Sequence, residues 1–237
     1  KIAIEAATNA LQAARGIAYP NALNLPVKVS EVPEFALGFL ELAQKMAFLA
    51  SQINKGAIES IKVTAEGEIA DYLDPLATFA IVGAASQSVG ENVNYVNAMF
   101  LMKEMGVEVS TKADKNTSGY KNKVGVKLTT AGGNITTIWG TMFDENTARV
   151  MNINGFEVDV EPKGKMIFFK NSDVPGVIGD VGATLARHNI NIADFRLGRN
   201  QHKEALAVII VDNDITTDVV SELGEIKAAI SVTYAEI

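Results

Sequence analysis

The sequence predicts an α+β protein, with a mixed helix and antiparallel-sheet domain followed by a ferredoxin-like βαββαβ domain. Three observations carry this. Apolar residues recur at helical spacing through about residue 105, then alternate with period two from 108 to 160. From residue 165 onward the order is strand, glycine-rich turn, helix, two strands, helix and strand, the order of a ferredoxin-like unit. Proline pairs and turn residues punctuate the junctions. The expected boundaries are 1–26 for a terminal helix and linker, 27–162 for the α+β domain, and 163–237 for the βαββαβ domain.

Residues 1–15 read as a helix with Ile4, Ala7 and Leu11 on one face, ended by Gly16. Pro20 and Pro26 keep the following stretch out of a helix. Residues 33–54 carry the stripe Phe35, Phe39, Leu42, Met46 and Leu49 of a long amphipathic helix, closed by Gly56. A strand over 59–72 places Ile61, Val63 and Ala65 on one face, and 74–85 and 92–105 read as helices. Short strands follow at 108–112, 120–129, 134–143, 148–153 and 156–160. Asn154-Gly155 is a two-residue hairpin signal, and 132–134 and 144–146 supply further turns. Asn92, Asn94 and Asn97 suit either a polar face or caps and turns. Met46, Met99, Met102 and Met105 read as core or interface filler, and Trp139 as a packed strand residue.

In the last unit, strands are expected at 165–170, 191–197, 204–211 and 230–237, with helices after residue 176 and over 216–228. Val177, Val181 and Leu185 mark the buried face of the first helix. Pro175 suits its first position, where an N–H is unpaired anyway. Asp173 can cap the exposed N–H groups, or it can hold a ligand there together with Asn171. Gly176, Gly179 and Gly182, with Asp194 further on, superficially suggest a dinucleotide fingerprint. The spacing is G-x-x-G-x-x-G, however, and two adjacent strands follow Asp194, so the glycines are expected to let the helix pack closely on the sheet.

Composition narrows the functional classes. The absence of cysteine excludes disulfides, thiolate nucleophiles and cysteine-held metal clusters. His188 and His202 are the only histidines, and both suit surface positions. A net charge of −7 argues against a nucleic-acid groove. No apolar run reaches the roughly 18 residues of a membrane span. The chain opens inside a helical period without Met or signal peptide, as a piece of a longer, cytoplasmic protein would. No catalytic constellation stands out. The strand 205–211 is apolar on both faces while one helical layer covers only one of them, so the other must meet another surface; this predicts self-association of the βαββαβ units by helix or edge-strand pairing with C2 symmetry.

VPGVIGDVGATLARHNINIADFRLGR (174–199) closely resembles an ACT domain, a regulatory amino-acid-binding module. GIAYPNALN (16–24), NVNYVNA (92–98) and VMNING (150–155), in that order, resemble the C-terminal part of long-form D-3-phosphoglycerate dehydrogenases. That resemblance implies an effector-binding domain before the ACT domain, homo-oligomerisation through ACT units, and L-serine as the small-molecule effector. Position by position, the serine contacts become Asn171, Asp173 and Asn191, with backbone N–H groups near Gly176. Some relatives hold an anion near the end of the middle domain. Here Phe156 and Glu161 stand where arginines are found in them, leaving Lys163 and Lys165 as the candidate anion site. The resemblance further implies NAD in the full-length parent, with no cofactor expected in this chain. A non-catalytic part of an L-serine dehydratase and a purely structural oligomerisation module are the alternatives.

Overall fold

The computed structural model describes residues 32–237 except 118, 145 and 146, so the expected helix and linker at 1–26 lie outside the described residues. The first part contains helix α1 (Glu34–Ile53), strand β1 (Ile58–Gly67), helix α2 (Leu73–Val89), helix α3 (Ala98–Glu104) and strands β2 (Glu108–Asp114), β3 (Asn122–Thr130), β4 (Ile135–Met142), β5 (Ala148–Ile153) and β6 (Phe156–Val160). The strands form one six-stranded sheet in the order β2-β1-β3-β4-β5-β6. Only the β1–β2 pair is parallel, because α2 and α3 supply the crossover that a parallel pair needs.

Ala36, Leu42, Met46 and Leu49 of α1 bury completely with Ile61, Val63, Val126 and Ile138 of the sheet. Two glycines permit this packing. A Cβ on Gly83 of α2 would lie 2.1 Å from the Gln44 carbonyl oxygen of α1, so the helices meet backbone to side. Gly125 on β3 lies beneath the Trp139 ring, 2.8 Å from where its Cβ would be. Asn154 and Gly155, with φ of 52° and 87°, make the expected hairpin turn between β5 and β6.

Two expected elements are shorter than their sequence pattern. β1 ends at Gly67, and 68–72 wind into a 3₁₀ turn whose Ile69 N–H donates to the buried Asn122 side chain. The expected helix over 92–105 begins only at Ala98. Before it, Asn94 Oδ1 accepts from the N–H groups of Val96 and Asn97, and the Asn97 amide reaches the Asn92 carbonyl. These asparagines therefore hold their own turn, competing with helix in the way short amide side chains do. Met46 and Met102 are fully buried, whereas Met99 and Met105 are about half exposed.

The second part is β7 (Lys165–Ser172), α4 (Val177–Arg187), β8 (Ile192–Arg199), β9 (Glu204–Val211), α5 (Thr217–Gly224) and β10 (Ala229–Glu236). Its four strands pair antiparallel in the order β10-β7-β9-β8, the ferredoxin-like arrangement. Ile167, Phe169, Ala207, Ile209 and Val211 face the helices and pack with Val177, Val181, Leu185, Val219 and Leu223.

The opposite face corrects the reasoning offered for self-association. Met166, Phe168, Leu206, Val208, Ile210 and Ala235 join the core of the six-stranded part of the same chain. No second copy is needed to cover them. The junction is close. A Cβ on Gly198 of β8 would sit 2.4 Å from the Glu157 carbonyl oxygen of β6. The Gln52 amide of α1 donates to the Glu236 carbonyl at 2.9 Å and accepts from its N–H at 3.0 Å, continuing the ladder of β10 with a side chain.

Candidate functional site

A cleft of ≈ 370 Å³ opens between the start of α4 and the helix-facing side of the four-stranded sheet. Its cause lies in strand register. Ala205 and Ala207 occupy the helix-facing side of the central strand β9. Asn171, Ala205 and Arg199 form one row across the sheet, and Phe169, Ala207 and Leu197 form the next. The Ala207 methyl stands between the longer Phe169 and Leu197 and lines the cleft, with Asn171 and Arg199 beside it, so a hollow is left where the deeper row of Ile167, Ile209 and Phe195 is filled. Gly176, with φ of 95°, turns the chain into α4 above that hollow, a conformation that favours glycine. Val174 and Ile178 stand exposed at the rim.

Three of the expected site residues meet here: Asn171, Asp173 and Gly176 all line the cleft. Asn171 is only 3% exposed. Its Nδ2 donates to the carbonyls of Phe169 and Ala205 at 3.3 and 3.4 Å, and its Oδ1 accepts no hydrogen bond from the described residues. Asp173 is not the helix cap. Gly176 takes the cap position without a side-chain bond, and Pro175 stands one residue before it, not at the first helical position. The Asp173 carboxylate instead lies 3.0 Å from Nε of Arg199, a residue the sequence reading did not single out. The pairing was implicit in the βαββαβ order, which sets the ends of β7 and β8 on either side of β9.

The glycines of α4 do not serve close packing. A Cβ on Gly179 or Gly182 would meet nothing within 4 Å. Asn191 lies at the other end of the sheet. It precedes Ile192, which pairs with Val211, and its amide donates to Asp212 at 2.6 Å. Six residues along β9 separate that end from the Asn171 row, about 20 Å at strand rise. One copy of the chain therefore does not bring Asn191 to the cleft.

The two candidate anion-site lysines face carboxylates. Lys163 lies 2.7 Å from Glu161 and Lys165 lies 2.5 Å from Asp214. The hydrogen bond to Asp214 holds the Lys165 pKa above its ordinary value despite desolvation. Phe156, where some relatives were expected to have a basic residue, is buried in the core. His188 bonds Glu222 across the α4–α5 contact at 2.5 Å, and Arg187 bonds the same carboxylate. Hydrogen bonds from His188 and then Arg187 hold the Glu222 pKa below the ordinary glutamate value.

Among the described residues no cluster of His, Asp or Glu is arranged to hold a metal, and no helix is long and apolar enough to cross a membrane. The residues present do not fit a dinucleotide either. Asp194 bonds its neighbour Arg196 at 3.0 Å, and β8 runs straight into its antiparallel partner β9 with no intervening helix.

Residues 37–154 match the family described as the D-3-phosphoglycerate dehydrogenase intervening domain, and 165–230 match the ACT domain. The D-3-phosphoglycerate dehydrogenase of Bacillus subtilis is 32% identical over 100% of the chain and 45% of its own length. That of Synechocystis sp. is 30% identical over 95% of the chain and 41% of its own length. That of Archaeoglobus fulgidus is 32% identical over 94% and 43%. The chain thus spans less than half the length of these curated relatives, and neither matched family is a nucleotide-binding domain. It belongs to the D-3-phosphoglycerate dehydrogenase family and carries that family's C-terminal regulatory part, an intervening domain followed by an ACT domain.

Proposed function

We propose that this chain is the effector-binding and oligomerising part of a cytoplasmic D-3-phosphoglycerate dehydrogenase, and that its ACT domain binds L-serine. In the full-length enzyme a separate catalytic part would carry out the NAD-dependent oxidation of 3-phosphoglycerate. On this reading 1–26 end the catalytic part, 27–162 form the intervening domain and 163–237 the ACT domain. The observation that carries the reading is the cleft itself. A buried Asn171 offers an unanswered acceptor inside it, beside the anionic Asp173 and the turn at Gly176. An amino acid presents an ammonium to a carboxylate and a hydroxyl to an amide, and this set matches those needs.

Asn191 enters the site only from a second copy. β8 is an edge strand, and two β8 edges pairing antiparallel about a two-fold axis would set the start of one beside the end of the other. Asn191 of the second copy would then approach the Arg199 end of the first. Serine bound across such a joint would couple to assembly on the usual allosteric scale of about 1–3 kcal/mol. Since the sheet face is covered within the chain, the helices and strand edges are the surfaces left for association.

Calorimetry with L-serine on the wild type and on Asp173→Ala tests the proposal. Binding in the wild type and its loss in a folded D173A protein is the expected result. Equal affinity in both, or no serine binding by the wild type, refutes the assignment, and the second outcome would leave a structural module.

A further inference from the structure

We propose that Arg199 is a carboxylate receptor of the effector cleft, so that the site recognises the whole α-amino-acid zwitterion and not its ammonium and side chain alone. This rests on the effector reading above and adds a specificity-determining residue to it. Arg199 shares a sheet row with Asn171, about 10 Å away across Ala205, and lines the same cleft. Its only charged partner among the described residues is Asp173, which approaches Nε. Neither terminal nitrogen donates a hydrogen bond to a described residue. A guanidinium with a free fork matches a carboxylate in two parallel hydrogen bonds.

The ion pair is half open to solvent, with Arg199 66% and Asp173 31% exposed. A ligand can therefore reach both charges without unfolding the turn. Its ammonium would take the free edge of Asp173 and its carboxylate the fork of Arg199, with its hydroxyl directed over Ala207 toward the Asn171 amide. Opposite charges fixed in contact order the ligand's two ends and exclude amines that lack an acid.

The test compares L-serine with L-serinamide, which keeps the ammonium and hydroxyl but has no carboxylate. Binding of both to the full chain is measured by calorimetry for the wild type, R199Q and R199K. The wild type is expected to prefer L-serine by about ten- to a hundredfold, the usual worth of a hydrogen bond to a charged group. R199Q should lose that preference while binding serinamide as well as before, because Asp173 is then freed for the ammonium. R199K should keep part of it, having charge without the planar fork. Unchanged serine affinity in R199Q, or an equal loss for both ligands, overturns the role of Arg199 while leaving the effector reading standing. Absence of serine binding in the wild type overturns both.

Discussion

Replacing Gly198 by alanine tests the contact that joins the ACT sheet to the intervening domain. The new Cβ would stand 2.4 Å from the Glu157 carbonyl oxygen and 3.1 Å from both the Glu157 carbonyl carbon and Val158 Cγ1. Non-bonded atoms settle at roughly 3.5 Å, so β6 and β8 must part by about 1 Å. The obstacle is strand backbone on both sides, which cannot rotate away as a side-chain end would. Overpacking of this kind costs about 1–3 kcal/mol, offset by the roughly 0.5–1 kcal/mol that alanine gains over glycine in a strand. A net loss of about 1–2 kcal/mol corresponds to a Tm lower by roughly 2–8 °C for a chain of this size. Differential scanning calorimetry reads it directly. Gly182→Ala is the control, since α4 has open space at that position, and it should raise Tm by about 1–4 °C through helix propensity. A G198A protein that melts at or above the wild type would refute the close junction.

Two further outcomes follow from the cleft and from the α4–α5 contact. Ala207→Leu should place a side chain in the hollow, which is large enough to receive it, leaving Tm unchanged or higher while L-serine affinity falls by more than about tenfold; calorimetry showing wild-type affinity would count against the cleft as the site. Glu222, whose pKa is depressed by His188 and Arg187, contributes stability above the unfolded glutamate value of about 4.3, and that contribution is lost as pH falls through its lower folded value. The Tm gap between wild type and Glu222→Gln should therefore be present at pH 6 and close toward pH 3, and a gap independent of pH would show that the carboxylate charge is not what matters.

Much of this molecule was legible without coordinates because its signals are local. Val177, Val181 and Leu185 repeat at helical spacing, Asn154-Gly155 demands a particular turn, and a strand pair after Asp194 excludes a doubly wound sheet; each depends on residues close in sequence. Local pattern misled where a side chain competed with the backbone, as when Asn94 and Asn97 bonded their own turn and delayed α3. It also misled at Asp173, because a helix cap and an ion pair with Arg199 look alike from one side. What only the tertiary structure decided depends on register between strands far apart in the chain. Register sets Ala207 between Phe169 and Leu197 to open the cleft and brings Arg199 to the end of the sheet where Asp173 lies, and the same register puts Asn191 at the opposite end. The covering of Phe168, Val208 and Ile210 by the intervening domain was likewise beyond reach. An alternating pattern states that a face must be buried, but the surface that buries it is chosen by the packing of elements the pattern does not connect.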